Sequence, residues 1–325
     1  MKVIIQFFMT IFFLSNIALP TGSPFSYEIY NSLVPTTKQD VHFITAHDRI
    51  KLAYYAFPAE QSQERAVVIM YHGGGAYSTP AYQWIAEKLQ QQGVSTYCFD
   101  VRGHGNSEGP RGDSPSVDTL FDDVKLTIEW VKAQHHDAPL YFVGHCSGAG
   151  LLINYHNAYK DLRVEGYIFL APFLGPNAGS GRYEGAHQNS FVKNIRVWVF
   201  ILNALLPVEW FHHVNAVYFN YPDDMIKANP LYVSQYTYVM STATTPYAIN
   251  DILTSWGNMP FWVFVGENDE QFYADRVVAL CQAATQQPTD ARIIPDAQHL
   301  SILKNAPDLI LESIHKQFAE KSQPG

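Results

Sequence analysis

Cysteine is scarce in this chain. Its 325 residues include three cysteines, Cys98, Cys146 and Cys281. Three thiols cannot build the dense disulfide framework that stabilises small secreted domains, and at most one pair, Cys98 with Cys281, could form. Because Cys98 lies within the apolar run 94–99, a buried free thiol is the better expectation for it. Cys146 is then left over as the candidate reactive thiol.

Basic residues are also few. The sequence has 21 lysines and arginines against 30 aspartates and glutamates, a formal net charge of −9. Without a basic stripe to displace counterions from phosphates, no nucleic-acid partner is expected. No cluster of His, Cys or Asp has metal-ligand spacing, so neither a metal nor an organic cofactor is expected. With 47% hydrophobic residues, the chain can bury the core of one large globular unit.

The first 23 residues differ from the rest. Met1 and Lys2 precede an apolar run over 3–19, which is typical of the charged and hydrophobic regions of a signal peptide. No A-x-A triplet marks a cleavage site, so an uncleaved N-terminal membrane anchor is the alternative, although about 17 residues is short for a spanning helix. We expect an exported protein that is periplasmic, extracellular or at the cell surface.

Beyond the leader, predicted strands and helices alternate. Apolar runs predict strands at 41–45, 50–57, 67–71, 94–99, 140–143, 164–170, 261–265 and 291–294. Apolar residues at three- and four-residue spacing predict helices at 80–92, 116–134, 147–159, 273–284 and 308–319. This alternation is typical of the α/β class, with a doubly wound, mostly parallel sheet.

A long segment, 172–257, interrupts the alternation. It is rich in aromatic residues and contains an apolar run over 195–206. We interpret it as a helical cap inserted between two parts of the core, 24–171 and 258–325. The apolar run has two interpretations: a cap helix buried against the core, or a lining for an acyl chain or a face for peripheral membrane contact.

The strongest chemical signal is Gly144-His145-Cys146-Ser147-Gly148, which follows the predicted strand 140–143 and opens the predicted helix 147–159. Strand, tight turn and helix form the setting of a nucleophile elbow, in which the central side chain is exposed. Here that side chain is Cys146 rather than serine, and Ser147 would point along the helix. A thiol is partly ionised at neutral pH and attacks a carbonyl carbon with less assistance than a hydroxyl.

Three further features complete a catalytic hypothesis. His72-Gly73-Gly74-Gly75 directly follows the strand 67–71, so the amide of Gly74 could join that of Ser147 in an oxyanion hole. Asp269 follows the strand 261–265 and is the chosen acid, with Glu267 and Glu270 as alternatives in the same loop. His299 follows the next strand and is the predicted base.

With these motifs, the chain resembles the monoacylglycerol lipase and lysophospholipase group of α/β-hydrolases. The resemblance runs from about Val41 to Phe318 and includes the loop 100–109, Asp-Val-Arg-Gly-His-Gly-Asn-Ser-Glu-Gly, whose residues look architectural. It implies an α/β-hydrolase fold and hydrolysis of medium or long acyl esters under a mobile apolar cap. Cys146 departs from the serine of this group.

The leading hypothesis is an exported hydrolase that cleaves a carboxylic ester or thioester of a lipid-like substrate. Cys146 attacks, His299 transfers the proton, Asp269 orients His299, and the amides of Gly74 and Ser147 stabilise the oxyanion. Two alternatives remain open: an acyltransferase that uses the same residues, and a catalytically inactive protein that binds a lipid or another protein through its cap.

Overall fold

The structure is a computed structural model. It describes residues 27–60, 64–160, 163–182, 191–206, 209–257, 259–283 and 290–321. The predicted leader, residues 1–23, lies outside the described residues. None of the helices in these ranges is both long enough and apolar enough to cross a membrane.

One large sheet organises the core. Its eight strands are β1 (His42–Thr45), β2 (Lys51–Phe57), β3 (Ala66–Tyr71), β4 (Val94–Phe99), β5 (Leu140–His145), β6 (Gly166–Leu170), β10 (Phe261–Gly266) and β11 (Asp290–Ile294). They lie in the order β1-β2-β4-β3-β5-β6-β10-β11. The pairs β1–β2 and β2–β4 are antiparallel and the others are parallel. This confirms the mostly parallel sheet that the alternation predicts.

The central strands are apolar because both faces of the sheet are covered. Every residue of β3, β4, β5, β6 and β10 is buried. Parallel strands covered on both faces lose the polar alternation of half-exposed strands and appear as continuous hydrophobic runs. The carboxyl ends of these strands therefore meet at one edge, where the loops that follow them can combine their side chains.

The described helices are α1 (Ile29–Ser32), α2 (Pro80–Gln90), α3 (Val117–Gln134), α4 (Ser147–Tyr159), α5 (Val197–Leu205), α6 (Asp223–Ala228), α7 (Tyr238–Ala243), α8 (Ile249–Ser255), α9 (Ala274–Ala283) and α10 (Ala306–Lys321). Local chemistry defines where two of these helices begin. Pro80 occupies the first turn of α2, and the Ser116 hydroxyl accepts a hydrogen bond from the Thr119 amide at the start of α3.

The insert between β6 and β10 is not entirely helical, which corrects the prediction of a helical cap. Besides α5 to α8, it contains an antiparallel sheet of β7 (Val192–Ile195), β8 (Asn215–Phe219) and β9 (Gln235–Thr237). These strands are three to five residues long. Such short strands carry too few alternating positions to be recognised in sequence, and their pairing depends on contacts between distant segments.

The loop 100–109 connects neighbouring elements of the fold through ion pairs and hydrogen bonds. Arg102 is 1% exposed and forms ion pairs with Asp48 and Asp123. Ser107 donates a hydrogen bond to the Asp100 carbonyl at 2.7 Å. These contacts join the loop after β4 to the β1–β2 connection and to α3, beside the sheet edge that carries the candidate site.

Candidate active site

Cys146 is in a strained backbone conformation between β5 and α4. Its φ of 51° and ψ of −116° are unusual for a residue with a side chain, and such strain costs about 1–3 kcal/mol. The Cys146 amide donates to the Leu170 carbonyl at 3.1 Å, and the Cys146 carbonyl accepts from the Phe173 amide at 3.0 Å. Backbone contacts on both sides thus hold the turn that aims the thiol out of the sheet edge.

The two elbow glycines provide space around this turn. A Cβ added to Gly144 would lie 2.7 Å from the Ala149 backbone, and one added to Gly148 would lie 2.5 Å from the His72 carbonyl oxygen. Of the residues between Gly144 and Gly148, the one with positive φ is Cys146 itself. The glycines are therefore required for close packing of α4 against β3 and β5, whereas the nucleophile position carries the conformational strain.

Beside the elbow, His299 and Asp269 form a buried pair. His299 Nδ1 lies 2.9 Å from Asp269 Oδ2, and the two residues are 2% and 1% exposed. The other carboxylate oxygen, Oδ1, accepts hydrogen bonds from the Gln271 and Phe272 amides at 2.8 Å each. Cys146 and His299 line the same cavity, and the interaction between their side chains raises the pKa of His299. The three predicted residues therefore meet, in the order thiol, imidazole, carboxylate.

The environment of His299 favours its charged form. Burial alone would lower the pKa of its imidazole, but the charge of Asp269 and the interaction with Cys146 raise that pKa well above its usual value. A protonated imidazole beside a sulfur atom stabilises the thiolate, which is the nucleophilic form.

The two alternative acids have other partners. Glu270 Oε2 accepts a hydrogen bond from the His299 amide at 2.8 Å, and burial raises the pKa of Glu270. Glu267 is exposed, and its carboxylate accepts from the Asp296 amide at 3.2 Å. Of the three carboxylates, Asp269 is the one on the His299 ring. Glu270 instead fixes the backbone of the histidine, a contact that the sequence does not reveal.

The glycine loop after β3 leaves one amide directed toward the elbow. Gly73 donates its N–H to the Tyr82 hydroxyl at 3.1 Å, and Gly75 donates to the Tyr236 hydroxyl at 2.9 Å. Within the described part of the chain, the N–H groups of Gly74 and Ser147 have no acceptor. A Cβ on Gly74 would lie 3.3 Å from Ser147 Oγ, so the two residues are neighbours. The predicted oxyanion donors are thus close together and unoccupied by internal acceptors.

His145 joins three loops of the site and was missed as a site residue. Its Nε2 lies 3.1 Å from the His299 carbonyl oxygen, which can only accept, so Nε2 carries the proton. Nδ1 then accepts from the Tyr82 hydroxyl at 2.8 Å, and that hydroxyl accepts from Gly73. Burial and the charge of His299 lower the pKa of His145 to about 3, so it stays neutral. No sequence signal identifies Tyr82, because nothing distinguishes it from the other residues of the predicted helix 80–92.

A small cavity lies beside the thiol, with room for about one water molecule. Its polar side is formed by Gly73, Gly74, His145, Cys146 and His299, and its apolar side by Tyr27, Tyr30, Phe191 and Leu300. Tyr27 and Tyr30 precede the first core strand and were not predicted near the site.

The chain is similar to a known family and to several characterised proteins. Residues 62–304 match the family model Hydrolase_4, described as Serine aminopeptidase, S33. Monoglyceride lipase of Rattus norvegicus is 23% identical over 139 residues, 43% of this chain and 45% of the relative. Phospholipase YtpA of Bacillus subtilis is 29% identical over 110 residues, 34% of this chain and 41% of the relative. The chain thus matches less than half the length of these curated relatives.

Among solved structures, a soluble variant of monoglyceride lipase from Saccharomyces cerevisiae, in complex with a substrate analog, has a TM-score of 0.67. It is 18% identical and covers 94% of this chain and 100% of its own. This similarity and the sheet order confirm the predicted α/β-hydrolase fold. Because the family match extends over most of the chain, from the strand before the glycine loop to the helical turn after His299, the protein belongs to the Serine aminopeptidase, S33 family of α/β-hydrolases.

Proposed function

We propose that this chain is a hydrolase that cleaves a carboxylic ester or thioester of a lipid-like substrate, of the acylglycerol or lysophospholipid type, through an acyl-enzyme on Cys146. The observation that carries the proposal is that the strained Cys146 lines one cavity with a His299 whose ring is held by Asp269 at 2.9 Å. The apolar cavity wall and the lipase names among the similar proteins support the substrate class.

In the first half-reaction, the Cys146 thiolate attacks the carbonyl carbon. A C–S bond forms, and the carbonyl π electrons move to the oxygen, which the Gly74 and Ser147 amides stabilise. The intermediate collapses, the bond to the leaving oxygen or sulfur breaks, and His299 gives its proton to that atom. A thioester on Cys146 remains.

In the second half-reaction, neutral His299 takes a proton from water as the water oxygen attacks the thioester carbonyl. The C–S bond then breaks, releasing the carboxylic acid and restoring the thiolate with protonated His299. Asp269 stabilises the imidazolium at both stages and holds Nε2 toward the sulfur. Deacylation is the step at which an alcohol acceptor would replace water if the protein were an acyltransferase.

Labelling of Cys146 tests this proposal. Iodoacetamide at pH 6 should alkylate Cys146 selectively, because Cys98 and Cys281 are each 1% exposed and their pKa values are raised by burial. Turnover of 4-nitrophenyl esters should decline in parallel with labelling. Cys281→Ala is the matched control and should keep both labelling and turnover. Turnover that survives complete labelling of Cys146 would contradict the proposal.

The fate of the acyl group separates the alternatives. Mass spectrometry should detect an acyl group on Cys146 after rapid quenching, and its decay in water should yield free acid. Decay that requires added glycerol and yields an acylated glycerol would instead identify an acyltransferase. A protein that binds a monoacylglycerol but never acquires an acyl group would be the inactive alternative.

We also propose export, and membrane contact through the cap. Around α5, Trp198, Leu205 and Trp210 are 48%, 60% and 78% exposed, and exposed aromatic and aliphatic side chains together favour an interfacial site. Trp198→Ala with Trp210→Ala should reduce sedimentation with phosphatidylcholine vesicles, whereas exposed Phe43→Ala should not.

N-terminal sequencing of protein recovered outside the cytoplasm tests export: a start near residue 24 indicates cleavage, and the intact start an anchor.

A further inference from the structure

A segment outside the family match covers the candidate site. We call residues 27–37 the strap; the family match begins at residue 62. The strap contains α1 and the two residues Tyr27 and Tyr30, which are 8% and 2% exposed. Both side chains line the cavity that also contains Cys146 and His299. Residues outside the region that matches the family therefore form part of the wall next to Cys146.

Contacts at both ends hold the strap in place. At its start, the Tyr27 hydroxyl donates to the Asn220 carbonyl at 3.1 Å, and the Tyr27 ring lies 5.1 Å from that of Tyr221. At its end, the buried Glu87 carboxylate accepts from the Thr36 amide at 2.8 Å, the Thr36 hydroxyl at 2.6 Å and the Thr37 amide at 3.1 Å. The strap is thus fastened to both the cap and α2.

Tyr30 lies between these two attachments. Its ring is 5.9 Å from that of Tyr82 and 6.2 Å from that of Tyr232. The ring therefore fills space next to the pair Tyr82–His145 on the floor of the site. Leu300, which lines the same cavity, cannot easily yield, because it follows His299, whose backbone is fixed by Glu270.

We propose that Tyr27 and Tyr30 are specificity-determining residues that slow the entry of long acyl chains, so that Cys146 prefers the shorter-chain members of the lipid-like ester class. The inference rests on the proposed function. An acyl carbon bonded to Sγ must place its chain in the adjoining cavity, which holds about one water molecule. An acetyl group requires little further space. A longer chain requires the Tyr30 ring to leave its position, at the cost of its packing against Tyr82 and Tyr232.

The test compares alkylation of Cys146 by iodoacetamide and by N-octyl iodoacetamide. In the natural protein, the rate constant for the octyl reagent should be much the lower of the two. Tyr30→Ala should raise the octyl-to-parent rate ratio at least about 10-fold, which is the scale on which pockets discriminate single methylene groups. Tyr30→Phe keeps the ring and should keep the ratio. Asn31→Ala, on the exposed side of α1, should also leave it unchanged.

Alkylation does not require turnover, so the result separates this inference from the proposed function. If Tyr30→Ala alters the ratio but no ester is cleaved, the proposed role of Tyr27 and Tyr30 is supported and the hydrolase proposal fails. If the octyl-to-parent rate ratio is the same in Tyr30→Ala and Tyr30→Phe, the proposed role of Tyr30 is overturned, even with full esterase activity. When esters are cleaved, the same variant should shift kcat/KM toward 4-nitrophenyl octanoate over the acetate by a similar factor.

A measurement on the natural protein covers the event that Tyr30→Ala does not fold. Cys146 is labelled to completion with either reagent, and hydrogen exchange is followed in a peptide that contains Thr36 and Thr37. The octyl label should displace the strap and speed exchange of these two amides by at least about 10-fold relative to the parent label. Identical exchange in the two labelled forms would overturn the inference.

Discussion

The floor and the cover of the candidate site are built differently. The floor, formed by Cys146, His299, Asp269 and His145, is polar, and its groups hydrogen-bond with one another or with the backbone. The cover, formed by Tyr27, Tyr30 and Phe191, is aromatic. The floor residues lie at or just after the carboxyl ends of parallel strands, whereas the cover comes from the strap and the insert. The sheet thus positions the polar residues of the candidate site, and segments outside it supply the aromatic wall.

Removal of the floor histidine should have the largest effect. His299→Ala removes both the base and the charge beside the thiol, so turnover should fall by about 10³-fold or more. Alkylation of Cys146 at pH 6 should also become slow, since no imidazolium then stabilises the thiolate. Ester assays and mass spectrometry of iodoacetamide-labelled protein measure the two effects. Undiminished labelling at pH 6 would mean that the thiol does not depend on His299.

Replacement of the acid should be the next largest effect. Asp269→Asn keeps the shape but removes the charge that raises the pKa of His299, and turnover should fall by about 10²-fold or more. Because that pKa falls, less imidazolium pairs with the thiolate near neutral pH, so rapid alkylation of Cys146 should begin only at a more alkaline pH. Glu267→Gln in the same loop is the control and should leave the pH profile unchanged. An unshifted profile in Asp269→Asn would contradict the electrostatic coupling.

The two imidazoles of the floor, whose centroids are 5.1 Å apart, should respond oppositely to pH. The pKa of His145 is lowered to about 3, so below about pH 6.5 the unfolded chain binds a proton there that the folded chain does not. This contribution to stability is present near neutral pH and is lost as the pH falls. His145→Gln should therefore have a lower free energy of unfolding than the natural protein at pH 7. Below pH 6.5, this gap in the free energy of unfolding should narrow by about 1.4 kcal/mol per pH unit.

Urea unfolding at pH 7, 6 and 5 measures this gap. His42→Gln serves as the control because His42 lies on the exposed part of β1, and its gap should stay nearly constant. A gap that widens for His145→Gln at low pH would show that His145 is charged in the folded protein.

Weakening of the backbone support should have the smallest effect. Glu270→Gln replaces a charged acceptor of the His299 amide with a neutral one, a difference of about 1 kcal/mol, or about fivefold in rate. The loss should appear in kcat, because His299 is displaced without loss of a substrate contact. Steady-state kinetics with a 4-nitrophenyl ester checks this, and a change confined to KM would argue for direct contact of Glu270 with substrate.

The floor could be predicted from the sequence because each of its reactive residues follows a recognisable strand. The predicted strand 261–265 is observed as Phe261–Gly266, and 291–294 as Asp290–Ile294, which brings the loops of Asp269 and His299 to one edge. Differences of one or two residues at strand ends do not alter which loop a residue occupies. Position after a strand was therefore sufficient to place three side chains that are far apart in sequence.

The cover and the supporting contacts could not be predicted. Tyr30 meets Tyr82 and Tyr232 across about 50 and 200 residues of sequence, and no periodic pattern encodes such contacts. The strands of the insert were missed because they are short, and Glu270 was seen only as an alternative acid. These features depend on tertiary packing, which overrides the local signals that identify the core.

The crowding around Gly144 and Gly148 has a consequence for how such a site can change its chemistry over time. Exchange of sulfur for oxygen at position 146 alters one atom that faces the cavity and adds no atom to the packed turn. A methyl group on either flanking glycine would instead force the first turn of α4 away from the sheet, and the thiol would lose its aim. The sulfur of Cys146 is thus open to substitution in this architecture, whereas the two flanking glycines are not.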